Sequence, residues 1–312
     1  MWPYWFFYLI PVLFALIGAR RSPSALAGLY SVRLNGAWAF FIIYLTCIIG
    51  YRVEVGGDWA SYLGYFYRVQ DISFYDLLRM SDPGYQFVNW VANNVGWGIW
   101  GVNLISALVF STGLVVFCRS LPRPWLAVAV AVPYLITIVG MGYTRQSIAL
   151  GFAMLGLVSL GRKNTLWFVV WVLLGATCHK SAILLLPIAA LATTRNKYWT
   201  AIWVGIVSIA AYFLLLEEAV ELLYAGYIES EYQSQGAFVR LAMNAVPALM
   251  LLLWGKRFSF SEGEAPLWRW FALISLALFA ILLVTPELLS NLVFKTLIKR
   301  HPDRLCSPRF HL

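Results

Sequence analysis

Long apolar stretches separated by short polar breaks run along the chain. They predict helices near residues 2–18, 36–51, 98–118, 124–140, 144–160, 165–178, 180–194, 199–216, 239–254 and 267–284. Crossing a bilayer takes roughly 20 apolar residues per helix, so the pattern is that of an all-α, polytopic transmembrane bundle of about ten spans. Two stretches, 165–178 and 180–194, are short for full spans and meet at the polar junction Cys178, His179 and Lys180; they suit tilted helices or segments dipping in from the outer side. The longest stretch without a span, 52–97, exceeds an ordinary connector. Aromatic and aliphatic residues at 62–67 and 72–78 suit short interfacial helices, which makes this a structured outer loop.

The charges between the apolar stretches set an orientation. With the N-terminus outside, the inward breaks carry Arg20, Arg21 and Arg33, then Arg119 and Arg123, Arg162 and Lys163, Arg195 and Lys197, and Lys256 and Arg257. Most carboxylates fall in outward breaks, from Glu54 to Asp82 and from Glu217 to Glu231. This alternation follows the positive-inside bias of membrane proteins. The apolar start of the chain has no basic residue before it and is followed at once by Arg20 and Arg21, so it reads as a retained helix and not a cleaved signal.

Composition closes off other classes. Of the 312 residues, 61% are hydrophobic and 12% charged, with a mean hydropathy of +0.74, against about 25% charged residues in a soluble domain. The net charge of +9 is spread over the polar breaks and forms no nucleic-acid-binding face. Cys47, Cys118, Cys178 and Cys306 make no CxxC pair, and the three histidines have no metal-ligand spacing. No phosphate-binding glycine loop is present. Neither cofactor nor metal is expected, and any chemistry must draw on an activated substrate delivered to the outer face.

Six cations sit on the outer side against the general bias: Arg52, Arg68, Arg79, Arg145, Lys180 and Arg240. Arg52, Gly56, Gly57 and Asp58 follow the second span, where the glycines permit a sharp turn. Either Arg52 snorkels to headgroups from a solvated turn, or Asp58 takes a hydroxyl proton or binds a sugar. Arg145 and Gln146 open a helix after a tight turn, and a guanidinium at that depth calls for a partner or an anionic ligand such as pyrophosphate. His179 and Lys180 interrupt an apolar run and offer an imidazole and an ammonium; a lone histidine there can equally be a satisfied polar residue. Arg240, near Glu229, Glu231, Tyr232 and Gln235, is either a ligand or an ion-paired loop anchor.

These residues together resemble the EpsG-like branch of the Wzy-type membrane polysaccharide polymerases, over most of 1–284. The matching pieces are Arg52 with Gly56, Asp58 and Tyr62; Asp82, Pro83, Gly84 and Tyr85; Arg145 and Gln146 with Ala149; and His179, Lys180, Ser181 and Ala182. The resemblance implies a bacterial inner-membrane enzyme that joins undecaprenyl-pyrophosphate-linked oligosaccharide repeat units at the periplasmic face, building an exopolysaccharide, capsule or O-antigen. It implies a flippase and a chain-length regulator as partners. Asp58 and His179 would be catalytic, while Arg52, Tyr62, Asp82, Tyr85, Arg145, Gln146, Lys180, Ser181 and Arg240 would bind substrate. A transporter or flippase for a lipid-linked sugar or an anionic solute would also place Arg and His in helices. The unusual polar residues cluster on one side here, whereas coupling residues of transporters lie near the midplane.

The last segment, 285–312, departs from this pattern. The family continues with an outer loop bearing an Asp-Arg pair and further spans; here Lys295, Lys299, Arg300, Arg304 and Arg309 would lie outside if the tenth span ends outward. A truncated or frame-shifted end is the preferred expectation, ahead of an extra crossing by 287–298 or an amphipathic surface helix. Asp303 and Arg304 are the residue types of that pair, but without a surrounding span they are assigned no site. A lost end would make this copy inactive.

Overall fold

The computed structural model describes residues 2–19, 35–187, 237–258, 260 and 264–300. Among the described residues every regular element is helical. The chain forms two compact units: the first holds described residues 2–19 and 35–187, the second 237–258, 260 and 264–300.

In the first unit α1 (Trp2–Ala19) and α2 (Gly36–Gly50) are followed by three short helices, α3 (Trp59–Arg68), α4 (Phe74–Leu77) and α5 (Pro83–Asn94). Then come α6 (Gly98–Ser120), α7 (Pro124–Ala131), α8 (Thr144–Gly161) and α9 (Thr165–Cys178). Polar caps start several of them. The side chains of Asn35 and Asn164 accept from Trp38 N and Trp167 N at 3.2 Å, satisfying a donor that the first helical turn leaves open. Ser73 caps α4 and shares a reciprocal bond with Asp76.

The stretch expected as one span at 124–140 changes pitch midway. It is α-helical to Ala131 and continues as a π-helix over Val132–Gly140. Pro133 has no N–H for the α pattern, and Thr137 Oγ1 donates to Val132 O at 2.8 Å, five residues back. The expected helix at 180–194 opens with a 3₁₀ turn, Lys180–Leu184. The expected helix at 199–216 lies outside the described residues.

Small residues let the central helices approach closely. A Cβ on Gly113 would collide with the backbone of Gly151, and one on Gly151 would lie 2.6 Å from Val109 O, so α6 and α8 pack backbone to backbone. Trp125 joins α7 to α1 and α2 by stacking 4.7 Å from Phe14 and 4.0 Å from Trp38, ring centre to ring centre. The core around Phe110, Leu114, Ile136 and Leu45 is fully buried.

The second unit pairs α10 (Ala237–Leu253) with α11 (Glu264–Arg300), joined through a 3₁₀ turn at Gly255–Arg257. α11 continues unbroken past residue 284, where a span was expected to end, so no turn precedes a separate crossing at 287–298. By length and composition, Gly98–Ser120 and Ala265–Leu283 are helices able to cross a membrane. Phe7–Ile17, Gly36–Gly50, Pro124–Gly140, Thr165–Cys178 and Phe238–Leu253 are apolar but shorter.

Candidate functional site

α2 and α9 end, and α6 and α8 begin, at one end of the first unit; Arg119, Arg123, Arg162 and Lys163 stand at the other. Arg52, Asp58, Asp82, Arg145, His179 and Lys180 lie at the first end. Arg145, the second residue of α8, donates from Nη1 to Asp82 Oδ2 at 2.9 Å. Its guanidinium lies 4.6 Å from the centre of the Tyr65 ring, close enough for a cation–π attraction. The Arg145 side chain is 26% exposed and that of Asp82 only 6%. The cation is therefore anchored from below and open from above.

Asp82 holds this position through an unusual backbone. Its φ of 54° and ψ of 57° place it in the left-handed region, directly before Pro83 opens α5. Aspartate tolerates that conformation better than most residues, though still at a cost of order 1 kcal/mol. The second helix residue, Gly84, lets α5 meet the end of α9: a Cβ there would collide with Thr177 Oγ1 and come within 3.1 Å of Cys178 Sγ. This contact brings Asp82 to His179.

Arg52 is buried at 4% exposure. Its Nη1 donates to Ile49 O at 2.8 Å and its Nη2 to Thr144 Oγ1, tying the end of α2 to the start of α8. Burial brings the Arg52 pKa down to about 10, so the group stays charged at neutral pH. Gly56, at φ +97°, packs on Gly142 so closely that a Cβ would lie 2.6 Å from the Gly142 Cα. That contact sets the loop carrying Asp58 against the turn before α8.

Asp58 stands half-buried at the start of α3, with its side chain making no cap. Its charge acts on the buried Tyr62, which also interacts with Arg145; burial, then Asp58, pushes the Tyr62 phenol up to about 12. Burial also raises Tyr85. The Tyr85 ring lies 6.0 Å from Tyr62 and 6.2 Å from Tyr65. Both buried phenols remain protonated at neutral pH.

His179 caps the end of α9 in extended conformation and is half-buried. Burial lowers its pKa; Asp82 opposes that shift and Arg145 adds to it. The imidazole is neutral at pH 7. Lys180, half-buried, and Ser181, exposed, follow it in the 3₁₀ turn, and Gln146 is exposed beside Arg145 on α8. Arg240 is exposed on α10 and is described with the second unit.

The structure thus gathers Arg52, Asp58, Tyr62, Asp82, Tyr85, Arg145 and His179, and it adds residues that the sequence pattern did not mark as site residues. Tyr65 and Thr144 hold the two arginines, and the buried Gln86 and Asn89 line the inner face of α5. Asn89 Nδ2 donates to Tyr85 O at 2.8 Å. The available signal was the polar pair at 86 and 89, three apart on one helical face. Among the described residues no three His, Cys, Asp or Glu side chains gather as metal ligands.

No curated protein and no solved structure matches the chain. The EpsG family model matches residues 37–296, a stretch that includes every residue of this cluster, and the chain belongs to the EpsG family.

Proposed function

We propose that this chain polymerises lipid-linked oligosaccharide repeat units for an exopolysaccharide, capsule or O-antigen. The substrate is carried on undecaprenyl pyrophosphate, and the reaction runs at the periplasmic face of a bacterial inner membrane crossed about ten times with the N-terminus outside. Family membership supports a role in exopolysaccharide biosynthesis at a membrane. The observation carrying the finer reading is Arg145, anchored by Asp82 and Tyr65 with its open side beside a neutral histidine.

The chemistry follows from those side chains. A hydroxyl of the incoming repeat unit attacks the anomeric carbon of the growing glycan, the bond from that carbon to the pyrophosphate oxygen breaks, and undecaprenyl pyrophosphate leaves with the electron pair. Negative charge grows on the leaving group, where a preplaced guanidinium stabilises it without reorganisation. Arg145 fills that role, with Lys180 as a second cation. His179 accepts the hydroxyl proton, and its lowered pKa keeps it unprotonated and ready at neutral pH. Asp58 and Tyr62 orient the acceptor. Arg52 and Asp82 act as positioning residues, since Arg52 Nη1 and Nη2 and Asp82 Oδ2 are engaged within the protein.

Deleting the gene and analysing the lipid-linked pool tests this reading. A polymerase mutant accumulates single repeat units on the outer face, whereas a flippase mutant retains them inside. Retention inside would replace polymerisation with transport.

A further inference from the structure

The second unit carries a basic cleft to which the proposed reaction assigns no role. Where α10 ends and α11 begins, a cavity of about 660 Å³ is lined by Trp254, Lys256, Arg257, Phe258, Phe260 and Arg269, among others. The turn that builds it is held by Arg257 N donating to Trp254 O at 2.8 Å and Phe258 N to Gly255 O at 3.2 Å. Phe258 stacks on Phe260 at 6.1 Å, and Phe260 lies 6.4 Å from Trp268 on α11. Lys256, Arg257 and Arg269 are exposed and make no side-chain ion pair or hydrogen bond among the described residues. Counting Glu262 and Glu264 from the same connection still leaves an excess of cations.

The neighbouring helix says what surrounds this cleft. Ala265–Leu283 is long and apolar enough to cross a membrane, and only 6% of that stretch is buried inside the protein, so its sides meet acyl chains. The cleft at its beginning therefore lies at headgroup depth, where aromatic rings are at home. Two guanidinium forks and an ammonium suit a phosphodiester. A zwitterionic headgroup brings its own cation and gains little there; an anionic one gains fully. We infer that the cleft formed by Lys256, Arg257 and Arg269 between α10 and α11 binds the headgroup phosphate of an anionic phospholipid.

The test uses the full-length chain purified in detergent, with bound phosphatidylglycerol and phosphatidylcholine counted by native mass spectrometry. The expected result is preferential retention of phosphatidylglycerol, weakened roughly fivefold by each of Lys256→Gln and Arg269→Gln and kept by Arg269→Lys. The Lys256→Gln, Arg257→Gln, Arg269→Gln triple variant, melting at the wild-type temperature, should lose the preference. Should it lose fold as well, the two single variants decide by the same readout. Equal retention of both lipids by the wild type, or undiminished phosphatidylglycerol on the single variants, overturns the inference. Displacement of the lipid by millimolar inorganic phosphate also overturns it, since a soluble phosphate ester would then be the ligand. None of these outcomes depends on polymerisation.

Discussion

Arg145 and Asp82, 63 residues apart in the chain, form a 2.9 Å ion pair in which the anion is buried and the cation stays partly open. Losing the acid leaves the guanidinium without its anchor. Asparagine tolerates the left-handed backbone of position 82 as well as aspartate does, so Asp82→Asn isolates the charge. A buried pair broken on one side costs about 3–5 kcal/mol; with Arg145 a quarter exposed, solvent screening reduces this to about 1–2 kcal/mol. The expected outcome is a lower melting temperature in detergent and much less polymer, and an unchanged melt with normal polymer would remove Asp82 from the site.

Arg52 and Thr144 make a second tie, from α2 to α8. Thr144→Val keeps the shape of the side chain and deletes the acceptor, leaving a buried charged donor unsatisfied at a cost of about 1–3 kcal/mol. Thr144→Ser should restore most of the loss. Thermal unfolding of both variants checks it: equal melting of valine and serine variants would show that the hydroxyl contributes nothing.

Gly56 and Gly57 provide an internal control. Alanine at 56 meets both a φ of +97° and the Gly142 backbone, while alanine at 57 meets nothing within 4 Å. Gly56→Ala should destabilise by upwards of 1 kcal/mol and reduce polymer by shifting Asp58; Gly57→Ala should do neither. Comparable melting curves for the two would separate the loop from the site.

The acid limb of the pH profile reports on His179. An ordinary imidazole protonates at about 6.5, but burial lowers this one. As a base it stays competent as the pH falls past 6.5 and fails only at the depressed value. The linked stability has the same sign: it is fully present above 6.5 and is lost as the pH falls through the folded-state pKa. Polymerisation in proteoliposomes, measured from pH 5 to 8, should show its acid limb below 6.5. A limb at or above 6.5 contradicts the assignment.

Helix positions were largely legible because polar residues inside a lipid-facing pattern are costly and therefore sit at ends. The predicted 36–51, 144–160 and 165–178 correspond to Gly36–Gly50, Thr144–Gly161 and Thr165–Cys178. The expected count of about ten spans was not met by helix length: among the described residues Gly98–Ser120 and Ala265–Leu283 are long and apolar enough to cross a membrane, and the other apolar helices are shorter. α5 was not read from the sequence because it turns Gln86 and Asn89 inward, against the rule that polar faces point out. Nor could the chain sequence announce that Asp82 would meet Arg145, or Thr144 Arg52, since such partners are set by how helices cross. Motif residues identified which groups were unusual; only the packing at Gly56, Gly84 and Gly142 brought them to one end.

The most direct measurement is the lipid-linked pool and polymer of cells carrying Arg145→Lys in place of the wild-type gene, with membrane insertion checked on the same protein. Lysine keeps the charge but lacks the planar fork that fits pyrophosphate. The expected result is full insertion, little or no polymer and single repeat units accumulating on the outer face. Wild-type polymer length and amount from that variant would contradict the role given to Arg145 and with it the proposed reaction.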